Sequence, residues 1–80
     1  MDEAQEQHVL RLLVEVCGTD AIENERDVDL FEAGLLDSLG MTQLLVSLED
    51  ELGIKVPPTA VEREDISTVN RILTFVSERL

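Results

Sequence analysis

Positively charged and aromatic residues are both scarce in this sequence. Lys and Arg number 6 against 18 Asp and Glu, which gives a formal net charge of -12. Nucleic acids and anionic membrane surfaces both require basic residues on the protein. The charge therefore argues against either partner and favours partners with basic docking surfaces. The only aromatic residues are Phe31 and Phe75, so the core must be built from Leu, Val and Ile.

Cysteine and histidine each occur once, as Cys17 and His8. One cysteine cannot form an internal disulfide, and a zinc site of the usual ligand set would need further Cys or His residues. Cys17 continues an apolar helical series, so we expect it to pack against the core rather than to act as a reactive thiol. His8 lies among polar residues, and we expect it on an exposed helical surface.

Long apolar runs are also missing, and the acidic N-terminus lacks a signal-peptide pattern. We therefore expect a cytoplasmic protein with no direct membrane insertion. The 80 residues are 44% hydrophobic, which is enough for a globular fold with a thin core. Residues 1–80 are expected to form a single domain.

Apolar residues recur at helical spacing in three segments. The first is Glu3–Cys17, followed by Gly18 as a C′ glycine that would end it. The second covers residues 39–52, with Gly53 closing it. A final helix begins near Val69, after a cap by Ser67 or Thr68, and its apolar residues are Val69, Ile72, Leu73, Val76 and Leu80.

A short third helix or turn is predicted for residues 59–64, with Thr59 as its cap, after Pro57 and Pro58 block helix continuation. No segment alternates with period two. The predicted fold class is therefore all-α: a small four-helix bundle of three main helices and one short helix.

Residues 18–37 form a long connection rich in Asp, Glu and Asn. A loop of this length is unusual in a small domain, so we expect it to be packed across the helices, with a short helical turn near residues 30–33. Patterns that start at Asp20 or Asp27 lack the central glycine of a calcium-binding EF-hand, which favours a solvated acidic loop. The expected apolar anchors are Ile22, Val28, Leu30, Phe31, Leu35 and Leu36.

The second helix has two apolar faces. At about 100° per residue, Leu39, Thr42 and Val46 project away from the expected core. An apolar patch of this kind beside an exposed hydroxyl, that of Ser38, is a candidate binding surface. The residues that project towards the core are Met41, Leu44, Leu45, Leu48 and Leu52.

Ser38 lies where the long connection turns into the second helix. A serine at this position is most often a plain N-cap. A nucleophilic serine would need a base and an orienting group, but His8 is remote in sequence, and the run from Gly34 to Ser38 lacks the G-x-S-x-G elbow. No catalytic residue is predicted. Ser38 is either a cap or a site that another protein modifies.

The run Gly34-Leu35-Leu36-Asp37-Ser38-Leu39, preceded by Leu30-Phe31 and followed by a leucine-rich helix in an acidic chain, resembles the attachment site of the acyl carrier protein superfamily. Members fold as four-helix bundles, and a serine at the start of their second helix carries 4′-phosphopantetheine. The resemblance implies that Ser38 carries this group, which a phosphopantetheinyl transferase adds from coenzyme A. A helix N-terminus suits a phosphate physically.

Within that superfamily, the sequence is similar to the D-alanyl carrier proteins of teichoic acid D-alanylation. The similarity includes Gly18-Thr19-Asp20, Gly40, and the run Gln43-Leu44-Leu45. It continues through Val56-Pro57, Arg63, Thr68, Asn70 and Ile72. The chain departs from that pattern at three positions where the family usually has aromatic residues or a proline: Val61, Ile66 and Val69.

This resemblance implies a carrier and not an enzyme. An adenylating D-alanine ligase would load D-alanine as a thioester, and a membrane-bound O-acyltransferase would accept it for lipoteichoic or wall teichoic acid. The expected partner interface is Asp37, Leu39, Thr42 and Val46. Two alternatives remain. One is an acyl or peptidyl carrier for fatty acid, polyketide or nonribosomal peptide intermediates, and the other is an acidic protein-binding module without a prosthetic group.

Overall fold

The first α-helix, α1, covers Glu3–Cys17 as predicted. In this computed structural model, which describes residues 2–80, Asp2 caps the helix by accepting a hydrogen bond from the Gln5 backbone N–H at 2.8 Å. The Gln5 side chain accepts in return from the Asp2 backbone at 3.1 Å, which completes a capping box. Gly18 ends the helix in the left-handed conformation, with φ of 75°.

The second helix, α2, covers Ser38–Leu52, so it begins one residue before the predicted start. Its core side matches the predicted face. Leu44, Leu45 and Leu48 are buried, whereas Met41 and Leu52 are half-buried at the edges of the face. The helix packs mainly against α1. Gly53 ends it in the left-handed conformation, as the sequence predicted.

The third helix, α3, covers Val69–Ser77, and Thr68 is its cap because its hydroxyl accepts from the Arg71 backbone N–H at 3.1 Å. Leu80 was predicted to continue the apolar stripe, and this is wrong. The helix ends before Leu80, whose side chain is 49% exposed. Phe75 is only 5% exposed and fills the core instead.

A short helix or turn was predicted for residues 59–64, and the structure has turns there rather than one helix. The two 3-10 turns are Pro58–Ala60 and Arg63–Ile66, with extended backbone at Val61 and Glu62 between them. Thr59 lies inside the first turn and does not cap it. Pro58 is tolerated at the first position of its turn, where the missing N–H would have no partner within the helix. The extended backbone at Val61 and Glu62 separates the two turns, so no α-helix is continuous here. Residues 2–80 therefore contain three α-helices, and the all-α class is confirmed.

The long connection is packed down, as predicted. It contains a 3-10 turn, Asp20–Asn24, capped by Thr19, and it buries Ile22, Leu30 and Leu36 in the core between the helices. Phe31 and Leu35 pack on the edge of that core. Val28 is 38% exposed, so its predicted role as an anchor is wrong: its side chain lies outside the packed part of the loop.

Cys17 is half-buried against the core, in agreement with a packing role, and this burial raises the pKa of its thiol. His8 is half-buried on α1, with its Nε2 atom 2.8 Å from Glu51 Oε1 on α2. Among residues 2–80, no cluster of His, Cys, Asp or Glu side chains is arranged to hold a metal ion. No helix in this part of the chain has the length and apolar character needed to cross a bilayer.

Candidate functional site

Ser38 is the first residue of α2 and is exposed to solvent. The N-cap is the neighbouring Asp37, whose Oδ1 accepts a 2.7 Å hydrogen bond from the Gly40 backbone N–H. The interpretation of Ser38 as a plain N-cap is therefore wrong. Asp and Ser are both preferred N-cap residues, so the local sequence did not distinguish them. The exposed Ser38 hydroxyl has no hydrogen-bond partner among the residues described.

The long connection positions Ser38 through a turn built around Leu30. The Leu30 carbonyl accepts from the backbone N–H groups of Leu35 at 2.9 Å and Leu36 at 3.1 Å. Gly34 takes the positive φ of 74° within that turn, a conformation that residues with a Cβ adopt at a cost. The Leu30 N–H donates to the Ser67 carbonyl at 2.7 Å. The segment before Ser38 is thus tied to the start of α3.

Gly40 lets the first turn of α2 pack tightly. A Cβ built at Gly40 would lie 3.0 Å from Leu36 Cδ1, 3.3 Å from Asp37 Oδ1 and 3.3 Å from Val16 Cγ1. The absence of a side chain therefore allows α2 to approach α1 beside the capping carboxylate. In the sequence Gly40 served only as part of a family resemblance, because a contact with Val16 is not visible in local spacing.

The predicted interface residues lie together on the outer face of α2. Leu39 is 67% exposed and Val46 is 53% exposed, and Thr42 lies exposed between them. The Thr42 hydroxyl donates to the Ser38 carbonyl at 3.0 Å. With Asp37 at the start of the same helix, these residues form a surface that begins at Ser38, and we refer to Leu39, Thr42 and Val46 as the outer face.

A cleft of about 400 Å³ opens on the other side of Ser38. Its walls come from the long connection, from α2 and from the segment around the second 3-10 turn. The guanidinium of Arg63 stacks over the Phe31 ring, 4.3 Å from its centroid. Sequence reasoning did not select Phe31 or Arg63 as site residues. The lining residues are Phe31, Leu36, Asp37, Ser38, Met41, Val61 and Arg63.

His8 lies far from Ser38. Its partner Glu51 is near the end of α2, whereas Ser38 begins that helix. At 1.5 Å per residue, Glu51 and Ser38 are about 20 Å apart along the helix axis. The single histidine is therefore not placed to activate the Ser38 hydroxyl.

The arrangement at Ser38 suits a covalently attached phosphate group. The hydroxyl is exposed, and the first turn of α2 directs backbone N–H groups towards it. The N–H groups of Gly40 and Met41 already donate to Asp37, to its Oδ1 and to its carbonyl respectively. Those of Ser38 and Leu39 have no partner within residues 2–80, and they remain available to a phosphate oxygen.

Comparisons with known proteins agree with this chemistry. A family model described as a phosphopantetheine attachment site matches residues 7–76. The chain therefore belongs to the phosphopantetheine attachment site family, whose covalent cofactor is 4′-phosphopantetheine.

The individual relatives indicate which kind of carrier protein within this family the chain is similar to. A D-alanyl carrier protein of Bacillus velezensis is 44% identical over 72 residues, which cover 90% of this chain and 92% of the relative. A D-alanyl carrier protein of Enterococcus faecalis is 47% identical over 68 residues, covering 85% and 87%. One from Bacillus subtilis is 42% identical over 72 residues, covering 90% and 92%. The resemblance predicted from the sequence is confirmed.

Proposed function

We propose that residues 1–80 form a single carrier domain that holds D-alanine as a thioester for delivery to lipoteichoic or wall teichoic acid, with Ser38 as the attachment site of 4′-phosphopantetheine. The observation that carries this proposal is the exposed Ser38 hydroxyl at the first residue of α2, left free because Asp37 is the cap. When attached, the cofactor supplies a terminal thiol that can carry an aminoacyl group.

The residues around Ser38 have distinct roles in this proposal. The Ser38 oxygen forms the covalent bond to the phosphate. The unpaired N–H groups of Ser38 and Leu39, at the positive end of the helix dipole, stabilise the phosphate charge. The Asp37 carboxylate holds the first turn in place. None of these residues catalyses a reaction, and in this carrier family catalysis belongs to separate enzymes.

Three such enzymes follow from the proposed cargo. A phosphopantetheinyl transferase modifies Ser38, an adenylating D-alanine ligase loads the thiol, and a membrane-bound O-acyltransferase receives D-alanine on the cytoplasmic side. The strongly acidic chain, with its net charge of -12, favours basic surfaces on these enzymes. We propose that they contact Asp37 and the outer face, because exposed Leu39 and Val46 give apolar contact area beside the attachment serine.

The intact mass of the protein tests the attachment site. Wild type, Ser38→Ala and Ser77→Ala are each incubated with coenzyme A, magnesium and a broad-specificity phosphopantetheinyl transferase. Wild type and the matched control Ser77→Ala, an exposed serine on α3, should each gain one phosphopantetheine. Ser38→Ala should gain none. A gain on Ser38→Ala would refute the assignment of Ser38, and no gain on any of the three folded proteins would refute the carrier function.

The cargo requires a separate experiment. The holo-protein is offered to a D-alanine ligase with ATP and D-alanine, and in parallel to adenylating enzymes specific for other amino or fatty acids. Thioester formation with the D-alanine ligase alone supports the proposed cargo. Preferential loading by another adenylating enzyme would favour the acyl or peptidyl carrier alternative. The binding-module alternative required Ser38 to be a plain cap, and Asp37 has that role instead.

A single charged substitution tests whether the outer face contacts the D-alanine ligase. Val46→Asp places a carboxylate in the proposed apolar contact, so we expect loading by the D-alanine ligase to slow about tenfold while the far-UV circular dichroism stays unchanged. Val28→Asp introduces the same change at an exposed valine of the long connection and should load normally. Equal loading rates for both variants would refute the assigned interface.

A further inference from the structure

Arg63 is the basic side chain that lines the cleft beside Ser38. It begins the 3-10 turn Arg63–Ile66, and its guanidinium lies over the Phe31 ring, with Cζ 4.3 Å from the ring centroid. This contact favours conformations of the long side chain that keep the guanidinium near the ring. Ser38, at the start of α2, lines the same cleft.

The charge of Arg63 is not neutralised by a carboxylate in the structure. The two ion pairs found between residues 2–80 are His8–Glu51 and Arg26–Glu6, and neither involves Arg63. The acidic residue that lines the cleft is Asp37, whose Oδ1 accepts from the Gly40 N–H. A phosphodiester on Ser38 would add negative charge beside Asp37. The Arg63 guanidinium is the group in the cleft that can offset it.

The remaining walls of the cleft are apolar. Phe31, Met41 and Val61 are each half-buried and packed on the edge of the core. With its volume of about 400 Å³, the cleft falls in the size range of small-molecule sites, which combine apolar walls with a few polar groups. It therefore offers an anionic contact near Ser38 and an apolar surface next to that contact.

A second arginine provides a structural comparison. Arg79 also stacks on an aromatic ring, that of Phe75, at 3.6 Å from the centroid. Its Nη1 donates to the Phe75 carbonyl at 3.0 Å. Arg79 lines a different cleft, formed by α3 and Asp65, which does not include Ser38. Stacking on a ring is thus common to both arginines, but only Arg63 shares a cleft with the attachment serine.

On the basis of the proposed attachment at Ser38, we infer that Arg63 is a positioning residue for the phosphopantetheine arm. The guanidinium pairs with the phosphodiester. The part of the arm next to the phosphate, which is a branched aliphatic segment, lies against Phe31, Met41 and Val61. The arm of the free carrier is therefore held in this cleft and does not sample all directions around the start of α2.

The experiment uses holo-protein whose intact mass has first been shown to include one phosphopantetheine. Isotope-filtered NMR then measures contacts between the methyl groups of an unlabelled arm and the labelled protein, and phosphorus NMR measures the phosphodiester signal. In wild type we expect contacts from the arm methyl groups to Met41 and Val61. Raising the salt concentration to about 1 M, where the Debye length is about 3 Å, should shift the phosphorus signal.

Three variants isolate the guanidinium. Arg63→Ala should lose most of the arm contacts to Met41 and Val61 and the salt dependence of the phosphorus signal. Arg63→Lys, which keeps the charge but not the planar stacking group, should retain a part of both. Arg79→Ala removes the other stacked arginine and should behave as wild type. If Arg63→Ala changes the amide spectrum of the apo-protein broadly, Arg63→Gln replaces it.

The outcomes separate this inference from the proposed function. Wild-type holo-protein without arm contacts in the cleft would overturn the inference and leave Ser38 as the attachment site. Identical contacts and phosphorus signals in wild type and Arg63→Ala would overturn the role of Arg63 in the same way. Absence of any mass gain on wild type would overturn the attachment itself, and the inference with it.

Discussion

The two irregular connections of this protein, residues 18–37 and residues 53–68, are held in different ways. The first is joined to distant elements: the Leu30 N–H donates to the Ser67 carbonyl at 2.7 Å, and the Asn70 N–H donates to the Arg26 carbonyl at 3.1 Å. The Arg26 side chain also contacts Glu6 of α1 at 2.8 Å. These long-range contacts hold the first connection against the helices, although it has little regular structure.

The second connection makes mainly local hydrogen bonds. Ala60 donates to Pro57 at 2.9 Å, and Asp65 donates to Glu62 at 3.0 Å. Residues 57–60 and 62–65 are exposed, while Ile54 and Ile66 are buried and hold the two ends. Segments with few buried contacts open at lower free energy than the core. The first connection therefore fixes Ser38, whereas the second forms a more adjustable wall that carries Arg63.

The largest expected effect is a cavity beneath the first connection. Leu30→Ala removes a fully buried side chain and should lower the free energy of unfolding by about 2–5 kcal/mol, measured by urea denaturation. Val61→Ala is the matched change in the second connection, where the side chain is half-buried, and should cost less than about 1 kcal/mol. Equal losses would show that the two connections contribute alike to stability.

Two glycines with similar conformations sharpen the comparison. Gly34 in the first connection and Gly53 at the start of the second have φ values of 74° and 70°, and neither has an atom within 4 Å of a built Cβ. Alanine at either position should lower the free energy of unfolding by roughly 1–2 kcal/mol because of backbone strain alone. Only Gly34→Ala should also slow modification of Ser38 by the transferase. Slowing by both variants would argue against a specific role for the turn before Ser38.

Capping at α2 gives a smaller effect. Asp37→Ala removes the side chain that accepts from the Gly40 N–H and should cost about 1 kcal/mol. Ser38→Ala removes an exposed hydroxyl and should change the free energy of unfolding by no more than about 0.5 kcal/mol. Thermal or urea unfolding of the two apo-proteins measures the difference. A larger loss for Ser38→Ala than for Asp37→Ala would contradict the assignment of the cap.

The smallest expected effect concerns the side-chain links of the two connections. Asn70→Ala removes the 2.6 Å hydrogen bond from Asn70 Nδ2 to Asp27 Oδ1, and amide hydrogen exchange should speed up in residues 26–36. Asp65→Ala removes the 3.0 Å bond from the Glu62 N–H and should speed up exchange only in residues 61–66. Each change should lower the free energy of unfolding by about 0.5–1 kcal/mol. Faster exchange throughout the chain in either variant would mean that the connections do not open separately.

Much of the fold was predictable because its signals are local. The spacing of apolar residues and the terminal glycines predicted α1 without error and α2 to within one residue. Family resemblance pointed to Ser38, and helical projection placed Leu39, Thr42 and Val46 outward, as observed. For residues 59–64 the sequence left a short helix or a turn open, because the choice between an α-helix and two 3-10 turns near Pro58 depends on how the segment packs.

The sequence by itself determined the all-α class, the acidic surface, the position of the helices and the serine at the start of α2. These features depend on neighbours within a few residues, where periodicity and capping preferences act. The tertiary structure decided that Asp37 and not Ser38 is the cap, that Phe75 and not Leu80 fills the core, and that Arg63 shares a cleft with Ser38. Most of these features depend on distances between segments that are far apart in the chain. The cap depends on the packed turn, because Asp37 and Ser38 are adjacent and equally suitable, and the turn decides which side chain reaches the free N–H.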